Sequence, residues 1–273
     1  MGFSEHPREL PSWAPNFSEE RKCYPYSDVL TQDTSFRASG DLPQELKLED
    51  EMNSLIVKAI TMDRIFDLSE VNILDWGLND LELVDVFQII RILQKYVYGA
   101  IDLYKKHVRS TDRAEELYYH RLGTALIAGR IDRKPPNINV KEVFRYWLRH
   151  LDVLAGARDR AHFKQLVRAG ALGESFASIA NGSDNAYQLS VLEACFGRRI
   201  AITASGRLCV VPPLTKVGDS VIIPFGSQTP FLIRQRDKES ENVSYELVGE
   251  AWVEGAMHGE MIGSTDEEFI RLS

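Results

Sequence analysis

Cysteine is scarce in this chain, with Cys23, Cys195 and Cys209 the only three in 273 residues. An odd, scattered set is no disulfide framework, and no two stand at metal-ligand spacing; it reads as free thiols in a reducing compartment. Long apolar runs are missing as well. The most apolar stretch, residues 86–104, is interrupted by Arg91, Lys95 and Asp102, and no run reaches the ~18 uncharged residues a membrane-spanning helix needs. Met1 to His6 carry no apolar segment, so no secretory signal is expected. His6 stands where a myristoylation motif needs Ser or Thr. Positive charge is in deficit, with a net charge of −8, which argues against nucleic acid as a partner. The phosphate-cradling G-x-x-x-x-G-K, the dinucleotide G-x-G-x-x-G after a strand, the G-x-S-x-G elbow and H-E-x-x-H are all absent. No internal repeat or low-complexity segment occurs. The expectation is a cytoplasmic protein without a metal or cofactor.

What is present is an ordinary globular balance, 44% apolar and 26% charged residues, in a chain long enough to bury a core without staples. Residues 1–33 hold Pro7, Pro11, Pro15 and Pro25, which forbid a long helix. They read as an extended arm anchored by Trp13 and Phe17. Between 34 and 68 the pattern predicts a three-stranded meander. Its strands are residues 34–39, the alternating Glu45-Leu46-Lys47-Leu48-Glu49, and the run 55–60 continued to Leu68. From 78 to 195 the period changes to three and four. Leu83, Val86, Phe87, Ile90, Leu93, Val97, Ile101, Tyr104 and Val108 mark one face of a long helix. Asn79 with Glu82 forms a capping-box pattern at its start. A second helix is expected over 113–129, with Leu117, His120 or Arg121, Ala125 and Ala128 on one side. A third starts at Asn139 and buries Val143, Phe144, Trp147, Leu151 and Leu154. Further helices are expected near 160–169 and 186–195.

After Arg199 the chain becomes strand-rich. Strands are expected at 199–203, 208–211, 220–224, 231–235 and 244–253, with a bulge or bend at Gly249. Three strands before the helices and five after them are most economically satisfied by pairing with each other, since open sheet edges are a liability. The fold class is therefore α+β. A β-barrel-like module is built from N-terminal and C-terminal strands (34–70 plus 197–262), with a helical insertion (71–196) between them.

The densest polar cluster runs from Gly249 to Glu260. Glu250, Glu254 and His258 are candidate general acids and bases, the two glutamates sharing one side of an extended strand by parity. The bland alternative is a solvated strand face ending in a glycine-rich turn. His258 with Glu260 lacks the third ligand a catalytic zinc takes. Asp63 is a further catalytic candidate, though Asp63-Arg64 reads first as a structural pair tying the strand to the helices. Arg198 and Arg199 are candidates for binding a phosphate or carboxylate.

Taken together, these segments resemble a known family. Pro11-Ser12-Trp13-Ala14-Pro15-Asn16-Phe17-Ser18 is similar to the "P-S-W-V-P-D-W-S" stretch that follows the HET domain of fungal heterokaryon-incompatibility proteins. Phe36 to Gly40 resembles the strand after it, and residues 60–65 the family's "G-x-x-V-D-x-I". Residues 121–130, R-L-G-T-A-L-I-A-G-R, resemble "W-R-T-L-I-A-D-R". Gly197-Arg198-Arg199, Gly218-Asp219 and Pro230 to Arg234 follow the family's order. The ending G-E-A-W-V-E-G-A-M-H-G-E is similar to "G-E-C-Y-V-H-G-L-M-D-G-E", with Glu254 where His is usual and His258 where Asp is usual. The resemblance spans nearly the whole chain but only the part of the family after the HET domain, which has no counterpart here. It implies a fungal cytosolic protein near non-self recognition and programmed cell death. Two readings follow. One is a non-enzymatic accessory or regulatory module that binds a protein partner. The other is an enzyme or small-molecule binder of fungal secondary metabolism, with a pocket between the helical and β parts.

Overall fold

The computed structural model describes residues 11–13, 26, 36–49, 54–70, 86–107, 114–129, 139–168, 183–236, 243–264 and 267–273. Most of the expected arm, the Asn79–Glu82 capping pattern and the start of the first helix's apolar face lie outside the described residues. Two strands come first, β1 (Leu46–Glu49) and β2 (Ser54–Leu68). Helices α1 (Val86–His107), α2 (Ala114–Leu126), α3 (Val140–Ala155), α4 (Arg160–Arg168) and α5 (Ser183–Cys195) follow. The chain then returns to strands β3 (Arg199–Thr203), β4 (Leu208–Val211), β5 (Ser220–Pro224), β6 (Phe231–Gln235), β7 (Tyr245–Glu250), β8 (Trp252–Val253) and β9 (Glu267–Leu272).

The hub is β2, a single strand of 15 residues where the sequence pattern predicts a strand and its apolar continuation. Its length lets it serve four neighbours. β1 and β5 pair along one edge, β9 and β3 along the other. Register shifts between Thr61 and Asp63 and between Ile65 and Asp67 bend it, as bulges do. From β2 the ladder runs through β3 and β4 to β8, and β8 continues β7 across Ala251. From β7 it returns through β6 and β5 to β2. The strands thus close on themselves, which removes their open edges. Gly249 makes the passage from β7 to β8 possible. Its φ is 142°, the register slips beside it between Leu232 and Ile233, and a Cβ there would lie 3.0 Å from Pro212.

Alternation places three cores in layers. Ile60, Ile65, Val211, Ile223, Leu232 and Val253 fill the barrel. The outward residues of β3, β4 and β8, among them Ile200, Val210 and Trp252, pack against the helices. On the opposite wall β9 covers Val57, Ala59, Ile222 and Ile233 with its own Ile270 and Leu272, and Trp13 packs against them. β7 and β9 share one register pair, Tyr245 with Leu272. Ser12 bridges that seam, its Oγ donating to the Ser273 carbonyl at 2.8 Å and accepting from the Leu247 N–H at 2.9 Å. Each such bond contributes about 0.5–1.5 kcal/mol net.

The helices bury the stripes their periodicity dictates, with one exception. α3 buries Val143, Phe144, Trp147, Leu151 and Leu154, and the Asn139 side chain caps it by accepting from the Glu142 N–H. The second helix buries the expected Ala125 and Ala128, but it turns Tyr118 and Leu122 inward in place of Leu117. Tyr118, Leu122 and Ala125 are buried, while Leu117 is 55% exposed. The Tyr118 ring meets Tyr104 tilted and Tyr119 edge-on, with centroids 5.2 and 4.8 Å apart, so aromatic packing sets the helix rotation.

Two further expectations are corrected. Phe36 to Gly40 is a turn, not a strand. Its N–H groups at Arg37, Ala38 and Ser39 donate to the carbonyls of Met257, Gln228 and Ser227. β9 lies beyond residue 262, where the strand pattern was expected to end.

Candidate functional site

The turn after β8 and the last residue of β7 carry the candidate acids; between them Trp252 turns to the helix-side core, while Ala251 and Val253 turn into the barrel. The two glutamates meet different partners. The Glu250 carboxylate accepts from Arg198 at 3.1 Å, from the Thr229 hydroxyl at 3.2 Å and from the Tyr26 N–H. Arg198 follows α5, is wholly buried, and also donates to the Glu250 carbonyl at 2.7 Å. Its guanidinium lies 3.9 Å from the Tyr26 ring centroid, a cation–π contact, and the Tyr26 hydroxyl donates to the Ala194 carbonyl at 3.0 Å. A buried arginine fork is tolerable only with this degree of pairing.

Glu254 receives a bidentate fork from Arg121 of α2, at 2.7 and 2.6 Å, and the Leu208 N–H at 3.2 Å. Arg121 donates as well to the Gly206 carbonyl at 2.9 Å and the Tyr104 hydroxyl at 3.3 Å. The hydrogen bond to Glu254 raises the Arg121 pKa above its ordinary value against the opposing effect of burial. This fork ties the second helix to the β3–β4 hairpin.

The structure does not bring His258 to either glutamate through any hydrogen bond. It is exposed in the following turn, its N–H donates to Glu260 at 2.6 Å, and its ring lies tilted 5.8 Å from Phe36. Asp63 sits on the other side of the barrel wall. Its carboxylate takes the Arg64 N–H at 2.8 Å and the Ser205 N–H and hydroxyl. Burial pushes its pKa up, but hydrogen bonds from Ser205, Thr203 and the backbone outweigh that and hold it below the usual value. It fastens the β3–β4 turn to β2, rather than joining Arg64 in a link to the helices. Arg199 spends its fork on the carbonyls of Ser69, at 2.9 and 2.6 Å, and Thr215, at 3.3 Å, and burial lowers its pKa.

Three polar groups escaped the motif reading. Asp219, 2% exposed, receives both arms of Arg234 at 2.8 Å, and pins β5 to β6. Burial pushes the Cys195 thiol up to about 12, and it donates to the Leu126 carbonyl at 3.2 Å, so it stays protonated and inert. Asp67, at the end of β2, accepts from Lys106 and from the His107 ring, each at 2.7 Å. Phe66 stands edge-on to His107, 5.3 Å between centroids. Adjacent Phe66-Asp67 on one strand and Lys106-His107 on one helix end were the available signal.

The hydrogen bond from Lys106, then that from His107, hold the Asp67 pKa down at about 2 against 3.8 in the unfolded chain. A depressed carboxyl contributes stability that is present above its unfolded value and lost as pH falls through the folded one. Comparing urea midpoints of the wild type and Asp67→Asn should therefore show a gap at neutral pH that narrows between about pH 4 and pH 2. Lys106 is 67% exposed, so screening limits the gap to about 1 kcal/mol. A gap that does not change with pH would remove Asp67 from this role.

Among the described residues no group of three His, Cys, Asp or Glu is placed to hold a metal ion. No described helix is long and apolar enough to cross a membrane. What the arrangement does chemically is pair each buried acid with a fixed cation.

With this geometry in view, comparison with known proteins is informative. A family model described as the Het-6 beta-barrel domain matches residues 61–270. Over 76 residues, 28% of this chain, the sequence is 33% identical to heterokaryon incompatibility protein 6, OR allele, of Neurospora crassa. The matched segment covers 11% of that protein's length. No solved structure matches the chain.

Proposed function

The chain belongs to the Het-6 beta-barrel domain family, and on that premise we propose that it serves heterokaryon incompatibility as a non-enzymatic, partner-binding module of the cytoplasm. One observation carries the reading. Both carboxylates of the only cluster that reads as chemistry are neutralised internally, Glu250 by Arg198 and Glu254 by Arg121. Glu254 so engaged ties α2 to the barrel, and Glu250 ties the end of β7 to Arg198 and Tyr26; groups in such roles serve the fold rather than proton transfer. What supports this reading over a small-molecule binder is that, among the described residues, Trp252, Met257, Ile200 and Val210 share one buried core with helical side chains.

The surface offers a face suited to a partner. Phe66, Leu214 and Val217 are 56%, 57% and 61% exposed. The segments that carry Phe66 and Val217 are joined side by side, because the Gly218 N–H donates to the Ile65 carbonyl at 2.8 Å. Exposed apolar side chains grouped in this way mark interaction sites. Affinity capture from fungal extract should recover a defined protein with the wild type. The Phe66→Ser/Val217→Ser double variant, with an unchanged circular dichroism spectrum, should lose it at least about tenfold, the cost of about 1.4 kcal/mol of binding. Equal recovery with both chains removes this face from the reading. Turnover of a small molecule by the purified chain, abolished by His258→Ala, sinks the non-enzymatic reading itself.

A further inference from the structure

β1 lies outside the closed path and pairs with β2 alone among the described strands. Leu46 and Leu48 stand opposite Val57 and Leu55, and those residues stand opposite Ile270 and Leu272 of β9. Cross-strand partners share a face. The two leucines therefore extend the apolar row of the small β9-side core past the last strand, where they are 50% and 47% exposed. An apolar row that continues to a free edge is a template for one more strand.

A short strand with a lysine ordinarily blunts such an edge. Lys47, 71% exposed, does this against most strands, because the incoming chain must offer it a negative charge. The sequence of β1 itself supplies that charge, in one register. Laid antiparallel on a second copy with Leu48 opposite Leu48, Lys47 falls opposite Glu49 twice. Leu48 then meets Leu48 on one face, opposite charges meet on the other, and Leu46 lies past the end of the facing strand. Sliding by one residue sets leucine against charge. Sliding by two sets Lys47 against Lys47 and Glu45 against Glu49. Lys47 already reaches its own Glu49 at 2.6 Å, so the exchange keeps the same face and the same pairing.

We propose that β1 is a self-association edge, through which two copies of this chain join antiparallel, Leu48 to Leu48. A pair of four-residue strands buries far less than the ~800 Å² per partner of a stable interface. The association is accordingly weak and reversible, in the range of micromolar and above.

Sedimentation velocity of the full chain from low to high micromolar concentration tests this. The wild type should shift from monomer to dimer. Lys47→Glu alone and Glu49→Lys alone each set like charges opposite one another and should weaken self-association at least about tenfold. An equimolar mixture of those two variants should recover dimers, since each acid then faces a lysine. Folding of each variant is checked by its circular dichroism and urea midpoint, because Glu49 also receives Arg271 at 2.8 Å. A chain that stays monomeric throughout overturns the proposal. So does self-association that the single variants leave unchanged, or a mixture that fails to recover it while both variants are folded.

Discussion

Replacing Arg198 by Ala is expected to lower the unfolding free energy by about 3–5 kcal/mol, the cost of leaving one member of a buried ion pair without its partner. The Glu250 side chain is 13% exposed and Arg198 1%, so water replaces little of what is lost. The Glu250 carboxylate would keep only the Thr229 hydroxyl and the Tyr26 N–H, and Tyr26 would lose the cation beneath its ring. Arg198→Met combined with Glu250→Gln removes both charges and keeps most of the volume. That double variant should be more stable than Arg198→Ala, because no uncompensated charge remains. Urea denaturation of the wild type, Arg198→Met, Glu250→Gln and the double variant completes a cycle whose coupling energy isolates the pair. If Arg198→Ala unfolds within about 0.5 kcal/mol of the wild type, the range of an ordinary surface change, the pair does not hold the end of β7 to Arg198 and Tyr26.

The same pair shows where sequence reading stops. Parity alone put Glu250 and Glu254 on one side of their strand. Their partners lie 52 and 133 residues away in the chain, and no local pattern carries that information. What did point there was indirect: Arg121, Arg198 and both glutamates all fall within stretches that resemble the heterokaryon-incompatibility family. The strands from Arg199 to Val253 were legible because inward and outward residues alternate on both walls and because Gly249 breaks the pattern where the chain changes sheet. β9 was not legible. Only Ile270 and Leu272 are buried in it, two points that define no period, and Glu267 and Glu268 precede them. Phe36 and Ala38 are buried too. Two inward residues separated by one read as a strand, yet the backbone bonds of this segment go to two loops, at Met257 and at Ser227-Gln228, instead of a neighbouring ladder. In α2 the spacing of Leu117 with Ala125 competed with that of Tyr118 with Leu122. The larger aromatic residue won the core, since burial favours the greater apolar area.

Trp252→Ala should separate the helical layer from the barrel. Trp252 is 4% exposed, belongs to a two-residue strand, and presents its indole to the core that α1, α2, α3 and α5 share with β3 and β4. Truncating a buried Trp costs about 3–5 kcal/mol. The loss falls at the boundary between the two layers. The barrel interior is lined by other residues, such as Ile60, Ile223 and Leu232, so it keeps its own packing. The ends of the helical insertion are also held without the helices, because β2 and β3 pair directly, from Ile65 with Thr203 to Leu68 with Ala201. Amide hydrogen exchange resolves the outcome by segment. In the variant, α2 and α3 should exchange at least about a hundredfold faster, the equivalent of close to 3 kcal/mol. Protection in β5 and β6 should fall far less. Equal loss in both would mean that helices and barrel open as one unit and that Trp252 is part of a single core, not the joint between two.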